Sequence, residues 1–422
     1  MDRIVIEGGT PLEGEIQISG AKNSAIKLMA VSLLTDEPVL LTNMPRLRDT
    51  RFMGQLLAHM GVEVEEGPGP QMRLHGKELS NLTAPYDLVR KRRASFNVLG
   101  PTLARAGEAK VSLPGGCAIG ARPVDLHLKA LEALGADIEL SEGYVNATAK
   151  KGLKGAQITF PFISVGATEH AMLAAVLAKG ETTLSNAARE PEIIDLANCL
   201  NAMGARITGA GRSDIHIQGV AKLSGVTHAV VPDRIEAGTY ALAAATTGGR
   251  VRLVNIRSDH LGSLWPLIAQ AGAKVELDQT SVVIERDPSK RIRPVDVDTQ
   301  AYPGFPTDLQ AQFMTLMTRA KGVSIIRENI FENRFMHCPE LARMGADIKV
   351  RGREAIVSGV PELTAAPVMA TDLRASASLI AAGLVADGQT RVGRVYHLDR
   401  GFEHIEIKLG NCGAKIRREP DV

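Results

Sequence analysis

One pattern of apolar and polar positions recurs six times along the chain. In each copy a segment with helical spacing ends at a glycine, and a strand-like alternation of apolar and polar residues follows. The copies cover residues 57–66, 131–140, 200–209, 268–277, 341–350 and 409–418. Their shared glycines are Gly61, Gly135, Gly204, Gly272, Gly345 and Gly413, so successive copies lie 74, 69, 68, 73 and 68 residues apart. Because helices commonly end at a left-handed glycine, each copy predicts a helix, a turn and a half-buried strand.

Each copy also contains a second helical segment, rich in alanine and leucine, such as 24–34 and 375–386. All six of these segments start at polar or charged residues: Lys22 and Asn23, Arg93, Ser164, Arg234 and Glu236, Thr307 and Asp308, and Asp372 and Arg374. Serine, threonine, aspartate and asparagine are ordinary helix caps. Lysine and arginine are unfavourable at the positive end of a helix dipole unless an anion lies between them. We therefore expect several helix N-termini to face a shared anion site.

The six copies predict two domains. A chain of 422 residues is too long for one ordinary core, and six copies divide most simply into two groups of three. A proline interrupts a strand-like run near residues 230–233, which places the boundary there. We expect a first domain over 22–231 and a second over 1–21 plus 232–422, with a strand at 16–18 completing the second group. Ligands are expected in the cleft between the domains.

Composition narrows the class of partner. The formal charge is +2 and no basic tract is present, which disfavours nucleic acid and anionic membranes. The four cysteines lie far apart without metal-ligand spacing, and residues 1–9 lack the apolar core of a signal peptide. The longest run of small apolar residues, 377–386, is too short to span a bilayer. These features predict a soluble protein of the reduced cytoplasm.

The loop LPGGCAIGARP at 113–123 is the leading candidate for chemistry. It places Cys117 among glycines, with Arg122 close behind. Glycines let the backbone approach a ligand closely, and a nearby arginine favours the thiolate and binds anions. Cys117 is therefore suited to transfer a proton or to attack carbon. From the loop alone, an inert cysteine in a mobile surface loop is an equal alternative.

Several long motifs resemble the UDP-N-acetylglucosamine 1-carboxyvinyltransferases, a family of enolpyruvyl transferases. They are SGAKN at 19–23, PGGC at 114–117 with GARPVDL at 120–126, FPTD at 305–308, FENRFMH at 331–337 and DLRAS at 372–376. The resemblance extends over essentially the whole chain. It implies an α/β fold: two inside-out α/β barrel domains, built from six βαβαββ-like repeats, three per domain.

The resemblance also implies an activity. Members of the family transfer the enolpyruvyl group of phosphoenolpyruvate to the 3-hydroxyl of UDP-N-acetylglucosamine by addition and elimination, and they release phosphate. This is the first committed step of bacterial peptidoglycan synthesis, and it needs no metal or organic cofactor. Both substrates are anionic, which agrees with converging helix N-termini and arginines.

By resemblance, Cys117 is the general acid that protonates the methylene carbon, and it can form a covalent adduct with phosphoenolpyruvate. A free thiol has a pKa of about 8.5, so it holds its proton at neutral pH and loses it readily near cations. Asp308 matches the base for the sugar hydroxyl, with an ordinary helix cap as the alternative. Glu190 is a weaker candidate for electrostatic support, with charge compensation at a helix start as the alternative. The glycine-rich loop is expected to close as a lid. Cys199, Cys338 and Cys412 are interpreted as structural.

The resemblance assigns the remaining site residues to the two substrates, and Lys22 and Arg400 also join the catalytic group. For phosphoenolpyruvate they are Lys22, Asn23, Arg93, Arg122, Arg334, Asp372, Arg374 and Arg400. For UDP-N-acetylglucosamine they are Asn23, Arg93, Arg122, Pro123, Val124, Asp125, Leu126, Ser164, Val165, Gly166, Glu190, Asp308 and Ile330. Phe162 departs from the family, which often has a lysine two residues before the serine, so one diphosphate contact is expected to be missing or replaced.

Two other functions stay open at this point. A related transferase moves the same group to shikimate 3-phosphate, but it is not expected to use the cysteine loop. A catalytically idle sugar-nucleotide-binding protein with the same fold is the second alternative. The presence of Lys22, Cys117, Asp308 and Arg400 together argues against it.

Overall fold

The computed structural model of the chain describes residues 2–89, 93–114 and 124–420, apart from the side chains of Arg93 and Ala94. These residues form two compact units. The first runs from Gly20 to Val231, and the second combines the residues up to Ser19 with those from Pro232 onward. Each unit has an apolar core of its own, one drawn from residues 21–230 and the other from residues 4–18 together with 235–414.

The helices alternate with strands along most of the described chain. The α-helices are α1 (Lys22–Ala30), α2 (Arg48–His59), α3 (Tyr86–Val89), α4 (Leu99–Ala106), α5 (Asp125–Ala133), α6 (Val165–Ala175), α7 (Pro191–Ala202), α8 (Arg234–Thr247), α9 (Trp265–Ala271), α10 (Gln310–Met317), α11 (Cys338–Arg343), α12 (Leu373–Gly383) and α13 (Ile405–Gly410). Short 3-10 helices cover Val31–Leu34, Arg93–Val98, Ser258–Leu261, Thr307–Leu309 and Val395–Arg400.

The strands are short. They are β1 (Asp2–Glu7), β2 (Leu12–Gln17), β3 (Val39–Thr42), β4 (Glu63–Glu66), β5 (Gln71–His75), β6 (Thr83–Ala84), β7 (Glu108–Ser112), β8 (Asp137–Ser141), β9 (Tyr144–Thr148), β10 (Gln157–Thr159), β11 (Glu181–Ser185), β12 (Arg206–Thr208), β13 (Asp214–Gln218), β14 (Val226–Ala229), β15 (Gly249–Val254), β16 (Lys274–Leu277), β17 (Ser281–Arg286), β18 (Val297–Asp298), β19 (Val323–Arg327), β20 (Asp347–Arg351), β21 (Glu354–Ser358), β22 (Leu363–Thr364), β23 (Pro367–Met369), β24 (Ala386–Asp387), β25 (Gln389–Gly393) and β26 (Lys415–Pro420).

Each unit contains three four-stranded sheets of one design. The sheet β10-β11-β13-β12 shows it: β10 and β11 are parallel, and the pairs β11–β13 and β12–β13 are antiparallel. Parallel neighbours require a crossover, which α6 supplies. The chain order β10, α6, β11, α7, β12, β13 is therefore βαβαββ, and the predicted repeat is confirmed.

Three strands complete repeats from a distance in the sequence. In the first unit β14 pairs with β3 in parallel. In the second unit β2 pairs in parallel with β15, and β1 lies between β25 and β26. The other sheets are β6-β7-β9-β8 and β18-β19-β21-β20, and β22 and β24 form an additional two-stranded pair.

The six repeated glycines all have left-handed backbone, with φ between +88° and +112°. Each follows the end of one of the helices α2, α5, α7, α9, α11 and α13, as the sequence predicts. An L-residue with a Cβ is strained in this conformation, which explains the glycine at each position.

The alanine-rich helices are buried, which makes the fold inside-out. Every residue of α10 and α12 is buried, and so is every residue of α8 after Arg234. These three helices pack against one another within the second unit. Small side chains allow this close packing, and the sheets cover the helices from outside. Within the described ranges, we find no helix with the length and apolar character needed to cross a membrane.

Candidate active site

In the second unit, Asp308 lies between two arginines. It belongs to the 3-10 helix Thr307–Leu309 that leads into α10. Its Oδ1 accepts a hydrogen bond from Arg334 Nη2 at 2.8 Å, and its Oδ2 accepts one from Arg374 Nη2 at 2.7 Å. The arginine side chains are 5% and 6% exposed, whereas that of Asp308 is 25% exposed. Solvent therefore reaches the carboxylate from one side while the guanidiniums fix it from the other.

The surroundings of Asp308 keep it ionised. Burial acts to raise its pKa, but the charges and hydrogen bonds of Arg374 and Arg334 outweigh burial, so the pKa lies well below the usual range. The alternative role as a helix cap is not what the structure shows, because Pro306 occupies the N-cap position of this 3-10 helix. The side chain is committed to the arginines.

The helix start at α12 positions Arg374. Asp372 is the N-cap, and its Oδ1 accepts hydrogen bonds from the backbone N–H groups of Arg374 and Ala375 at 2.8 and 3.1 Å. As the N-cap, Asp372 fixes the first turn of α12 and thereby orients Arg374. Arg400 ends the 3-10 helix Val395–Arg400 and is half-buried, and Ile330 is 37% exposed.

Glu328 joins the segments that carry Asp308 and Ile330, and sequence reasoning missed it. It follows β19 and is 1% exposed. Its Oε2 accepts from the Thr307 hydroxyl at 2.9 Å. Its Oε1 accepts from the Thr299 hydroxyl and from the backbone N–H groups of Ile330 and Phe331, at 2.9 to 3.0 Å. A carboxylate directly after an apolar strand is the one sequence signal for this role.

In the first unit, Lys22 opens α1 and forms an ion pair with Asp49 of α2, with Nζ and Oδ2 3.0 Å apart. Asp49 is 4% exposed, and the N-cap residue Ala21 offers no side-chain acceptor. Asp49 therefore supplies the negative charge that a lysine at a helix N-terminus requires. Asn23, the next residue, is exposed.

The starts of α5 and α6 carry the residues predicted to bind the sugar nucleotide. Ser164 caps α6, because its Oγ accepts from the Ala167 N–H at 3.3 Å. Val165 and Gly166 form the first turn and are half-buried. Phe162, just before the cap, is 58% exposed.

At the start of α5, Val124 is the N-cap residue and is half-buried, Asp125 is exposed and Leu126 is buried. Glu190 occupies the N-cap position of α7 without a side-chain capping bond, and it is 8% exposed.

Glu190 lies near a buried pair formed by Lys27 and Glu169, which sequence reasoning also missed. Burial raises the pKa of Glu169 to about 6. The charge and hydrogen bond of Lys27 act against this shift, and the charges of Glu192 and Glu190 add to it. The partners lie 142 residues apart, so no local pattern reveals them.

Some predicted residues lie outside the described residues, namely Cys117, Arg122 and Pro123, together with the side chain of Arg93. The described cysteines, Cys199, Cys338 and Cys412, are free and buried. Burial raises the pKa of Cys199 and Cys338 to about 12 and also raises the pKa of Cys412, which makes these thiols poor nucleophiles. Across the residues whose side chains are placed, no group of three or more potential ligands could hold a metal ion.

Comparison with known proteins gives one consistent family. The EPSP synthase (3-phosphoshikimate 1-carboxyvinyltransferase) family model matches residues 6–409. A UDP-N-acetylglucosamine 1-carboxyvinyltransferase of Maricaulis maris is 66% identical to this chain over the full length of both proteins. A protein of the same name from Acidiphilium cryptum is 60% identical, again over the full length of both.

Solved structures agree on the fold. The enolpyruvyl transferase NikO of Streptomyces tendae matches with a TM-score of 0.89 and 26% identity, covering 100% of this chain and 99% of its own. EPSP synthase of Acinetobacter baumannii matches with a TM-score of 0.77 and 19% identity over all of both chains.

Proposed function

Since the chain belongs to the UDP-N-acetylglucosamine 1-carboxyvinyltransferases, within the wider EPSP synthase family, we propose that it transfers the enolpyruvyl group of phosphoenolpyruvate to the 3-hydroxyl of UDP-N-acetylglucosamine and releases phosphate. The observation that carries this proposal is the 66% identity to a protein of that name over the full length of both chains. The proposal includes a place in the cytoplasm and at the first committed step of bacterial peptidoglycan synthesis.

The reaction needs two proton transfers in each half. In the addition, the sugar oxygen bonds to the central carbon of phosphoenolpyruvate, its proton passes to a base, and an acid protonates the methylene carbon. In the elimination, the deprotonated acid takes a proton back from that methyl carbon, the bond from the central carbon to the phosphate oxygen breaks, and the protonated base gives its proton to the departing phosphate. We assign the acid to Cys117 and the base to Asp308.

The ion pairs of Asp308 bear on its role as a base. A carboxylate held by Arg334 and Arg374 accepts a proton weakly, because both guanidiniums stabilise its charge. A phosphoenolpyruvate anion bound to the same arginines would weaken their hold on Asp308 and raise its pKa. Substrate binding would thereby prepare the base, and Arg400 and Lys22 would add positive charge for the phosphate and carboxylate.

The capped start of α6 supports the sugar-nucleotide part of the proposal. Backbone N–H groups in a first helical turn bind anionic oxygens, and Ser164 to Gly166 supply that turn. Phe162 offers an exposed ring where the family often has a lysine, so we assign the diphosphate to backbone donors here rather than to a charge at this position.

The test measures phosphate release from phosphoenolpyruvate by the full chain, with product identified by mass. Release that depends on UDP-N-acetylglucosamine supports the proposal. Release only with shikimate 3-phosphate would identify the related transferase, and binding of the sugar nucleotide without any release would identify an idle paralogue. Cys117→Asp is expected to retain turnover but to resist alkylation by an epoxide, because a carboxyl group delivers a proton yet is a poor nucleophile. Cys117→Ala is the matched inactive control.

A further inference from the structure

Arg418, on β26, joins two carboxylates that belong to different elements of the second unit. Its Nη2 and Nη1 donate to the two carboxylate oxygens of Asp399 at 2.6 and 3.1 Å, and its Nε donates to Glu406 Oε1 at 3.1 Å. Asp399 lies in the 3-10 helix Val395–Arg400, and Glu406 lies in the first turn of α13. Two parallel bonds to one carboxylate fix both the distance and the angle of the pair. We call these three residues the Arg418 cluster.

The Arg418 cluster is partly buried. The side chains of Arg418, Asp399 and Glu406 are 24%, 27% and 12% exposed. Burial acts to lower the pKa of Arg418, but the hydrogen bonds and charges of Asp399 and Glu406 outweigh burial and raise it. A further contact, from Nη1 to Oδ2 of Asp2 at 3.5 Å, lies at the exposed edge. The cluster therefore differs from a fully exposed ion pair, which would contribute little.

The backbone of Arg400 is held from both sides. Asp399 directly precedes Arg400, so its two bonds to Arg418 restrain the chain just before it. The chain just after it is also restrained, since a Cβ built at Gly401 would lie 2.7 Å from Leu373 Cδ2. Gly401 therefore packs directly on the side chain of the first residue of α12. Arg400 ends its 3-10 helix between these two contacts.

The same segment connects Arg400 to the ion pair of Asp308. Phe402 is buried, and its ring centroid lies 5.9 Å from Cζ of Arg374, within the range of a cation–π contact. Arg374 in turn donates to Asp308 Oδ2 at 2.7 Å. The residues that follow Arg400 are thus packed on the helix start that carries Arg374, while the Arg418 cluster holds the residue that precedes it.

We propose that Arg418 is a positioning residue for enolpyruvyl transfer, which holds Asp399 and thereby fixes the direction in which Arg400 meets phosphoenolpyruvate. This inference rests on the proposed function, in which Arg400 binds that anion. An arginine that is already held in place loses less freedom when it binds its ligand, and small displacements of a binding group are costly. Lysine cannot replace Arg418, because one ammonium group cannot bind both oxygens of Asp399 in parallel and reach Glu406 as well.

Two matched substitutions on β26 test the role of the guanidinium. Arg418→Lys keeps the charge and loses the paired bonds to Asp399. Arg417→Lys changes the neighbouring residue, which is 53% exposed and pairs with Glu419. We expect Arg418→Lys to raise KM for phosphoenolpyruvate about 5- to 20-fold and KM for UDP-N-acetylglucosamine less than about twofold, because Arg400 is assigned to phosphoenolpyruvate alone. Arg417→Lys should match the wild type in both values.

Substitutions of the two carboxylates show whether the effect passes through Asp399. Asp399→Asn leaves one acceptor oxygen for Arg418 and directs an amide NH2 group at its other donor, so it should raise KM for phosphoenolpyruvate as Arg418→Lys does. Glu406→Gln keeps an oxygen for Nε of Arg418 and leaves the pair with Asp399 intact. It should therefore stay within about twofold of the wild-type KM. Equal rises in the two carboxylate variants would show a general structural effect and would overturn the proposal.

Wild-type KM values in Arg418→Lys would also overturn the proposal, as would equal rises for both substrates. Circular dichroism at the assay temperature checks that each variant is folded. If Arg418→Lys does not fold, Asp399→Asn against Glu406→Gln makes the same comparison. A wild-type chain that makes no product would refute the proposed function. A wild-type chain that makes product, with Asp399→Asn and Arg418→Lys unchanged from it, would refute this inference alone.

Discussion

Asp308 and Arg374 lie 66 residues apart in the sequence, yet Oδ2 of the first and Nη2 of the second are 2.7 Å apart. The contact links the 3-10 helix before α10 to the first turn of α12. Both elements start with polar residues that the sequence pattern identifies, and the structure shows that Asp308 and Arg374 form an ion pair.

Arg374→Gln should destabilise the protein by about 1.5–3 kcal/mol, the usual contribution of a hydrogen bond to a charged group. The folded pKa of Asp308 is lowered, so its stabilisation is present above the unfolded value of about 4 and is lost only as pH falls below it. The loss in Arg374→Gln should therefore be equal at pH 5 and pH 8 in urea unfolding. A loss that grows between these values would contradict this explanation. Arg250→Gln breaks an exposed pair with Glu285 and is expected to cost less than about 0.5 kcal/mol.

Removal of the Glu328 side chain should disturb the site more than removal of its charge. Glu328→Ala removes the hydrogen-bond acceptor of two hydroxyl groups and of the N–H groups of Ile330 and Phe331. Each of these groups that remains buried without a partner costs about 1–3 kcal/mol. Glu328→Gln can keep an oxygen towards the N–H groups and donate to Thr307. We expect Glu328→Ala to lower both thermal stability and kcat, and Glu328→Gln to retain most of both. Similar losses in the two variants would count against the four-bond arrangement.

Glu169 should make stability fall as pH rises. Its folded pKa of about 6 exceeds the ordinary 4.5, so the folded state holds the proton more tightly. Its contribution is complete below pH 4.5 and is lost as pH rises through 6. Glu169→Gln cannot titrate, and denaturant unfolding between these pH values should show a flatter profile than wild type. Glu65→Gln is the control, because Glu65 forms an exposed pair with Arg73, and its stability should depend on pH as in the wild type. If stability depends on pH equally in Glu169→Gln and in the wild type, Glu169 does not cause the fall.

Gly100→Ala should destabilise the protein through one contact. A Cβ there would lie 2.5 Å from Cδ2 and 2.7 Å from Nε2 of His170, and overpacking of this kind costs about 1–3 kcal/mol. Gly135→Ala is the control for backbone strain, since it has φ +91° and nothing within 4 Å of its Cβ; we expect about 1 kcal/mol there. His170→Ala should relieve Gly100→Ala in a double-mutant cycle. Strict additivity of the two changes would show that the contact is absent.

The repeat, the buried helices and the turns could be predicted from the sequence because each depends on local spacing. Gly272, for example, follows α9 and precedes β16, and both neighbours are visible as periodic apolar positions. The cap at Ser164 is local as well. The family motifs locate Asp308, Arg334 and Arg374, but their spacing does not reveal the two ion pairs.

Partners on different helices could not be predicted from the sequence. The pairs of Lys27 with Glu169 and of Lys22 with Asp49 depend on how helices pack, and packing is set by the whole core rather than by any window of sequence. In the sequence Glu328 is an ordinary charged residue after a strand. Its role becomes visible only in the structure, where the N–H groups of Ile330 and Phe331 donate to its carboxylate.

The positions of β1 and β2 affect the order in which the two units can fold during synthesis. When the ribosome has released the chain up to Val231, every strand from β3 to β14 exists, whereas β1 and β2 still lack β15, β25 and β26. β1 meets β26 only when Pro420 has been made and can pair with Asp2. The nascent chain therefore carries β1 and β2 without these partners while the first unit is completed, and unpaired strands of this kind are prone to premature pairing.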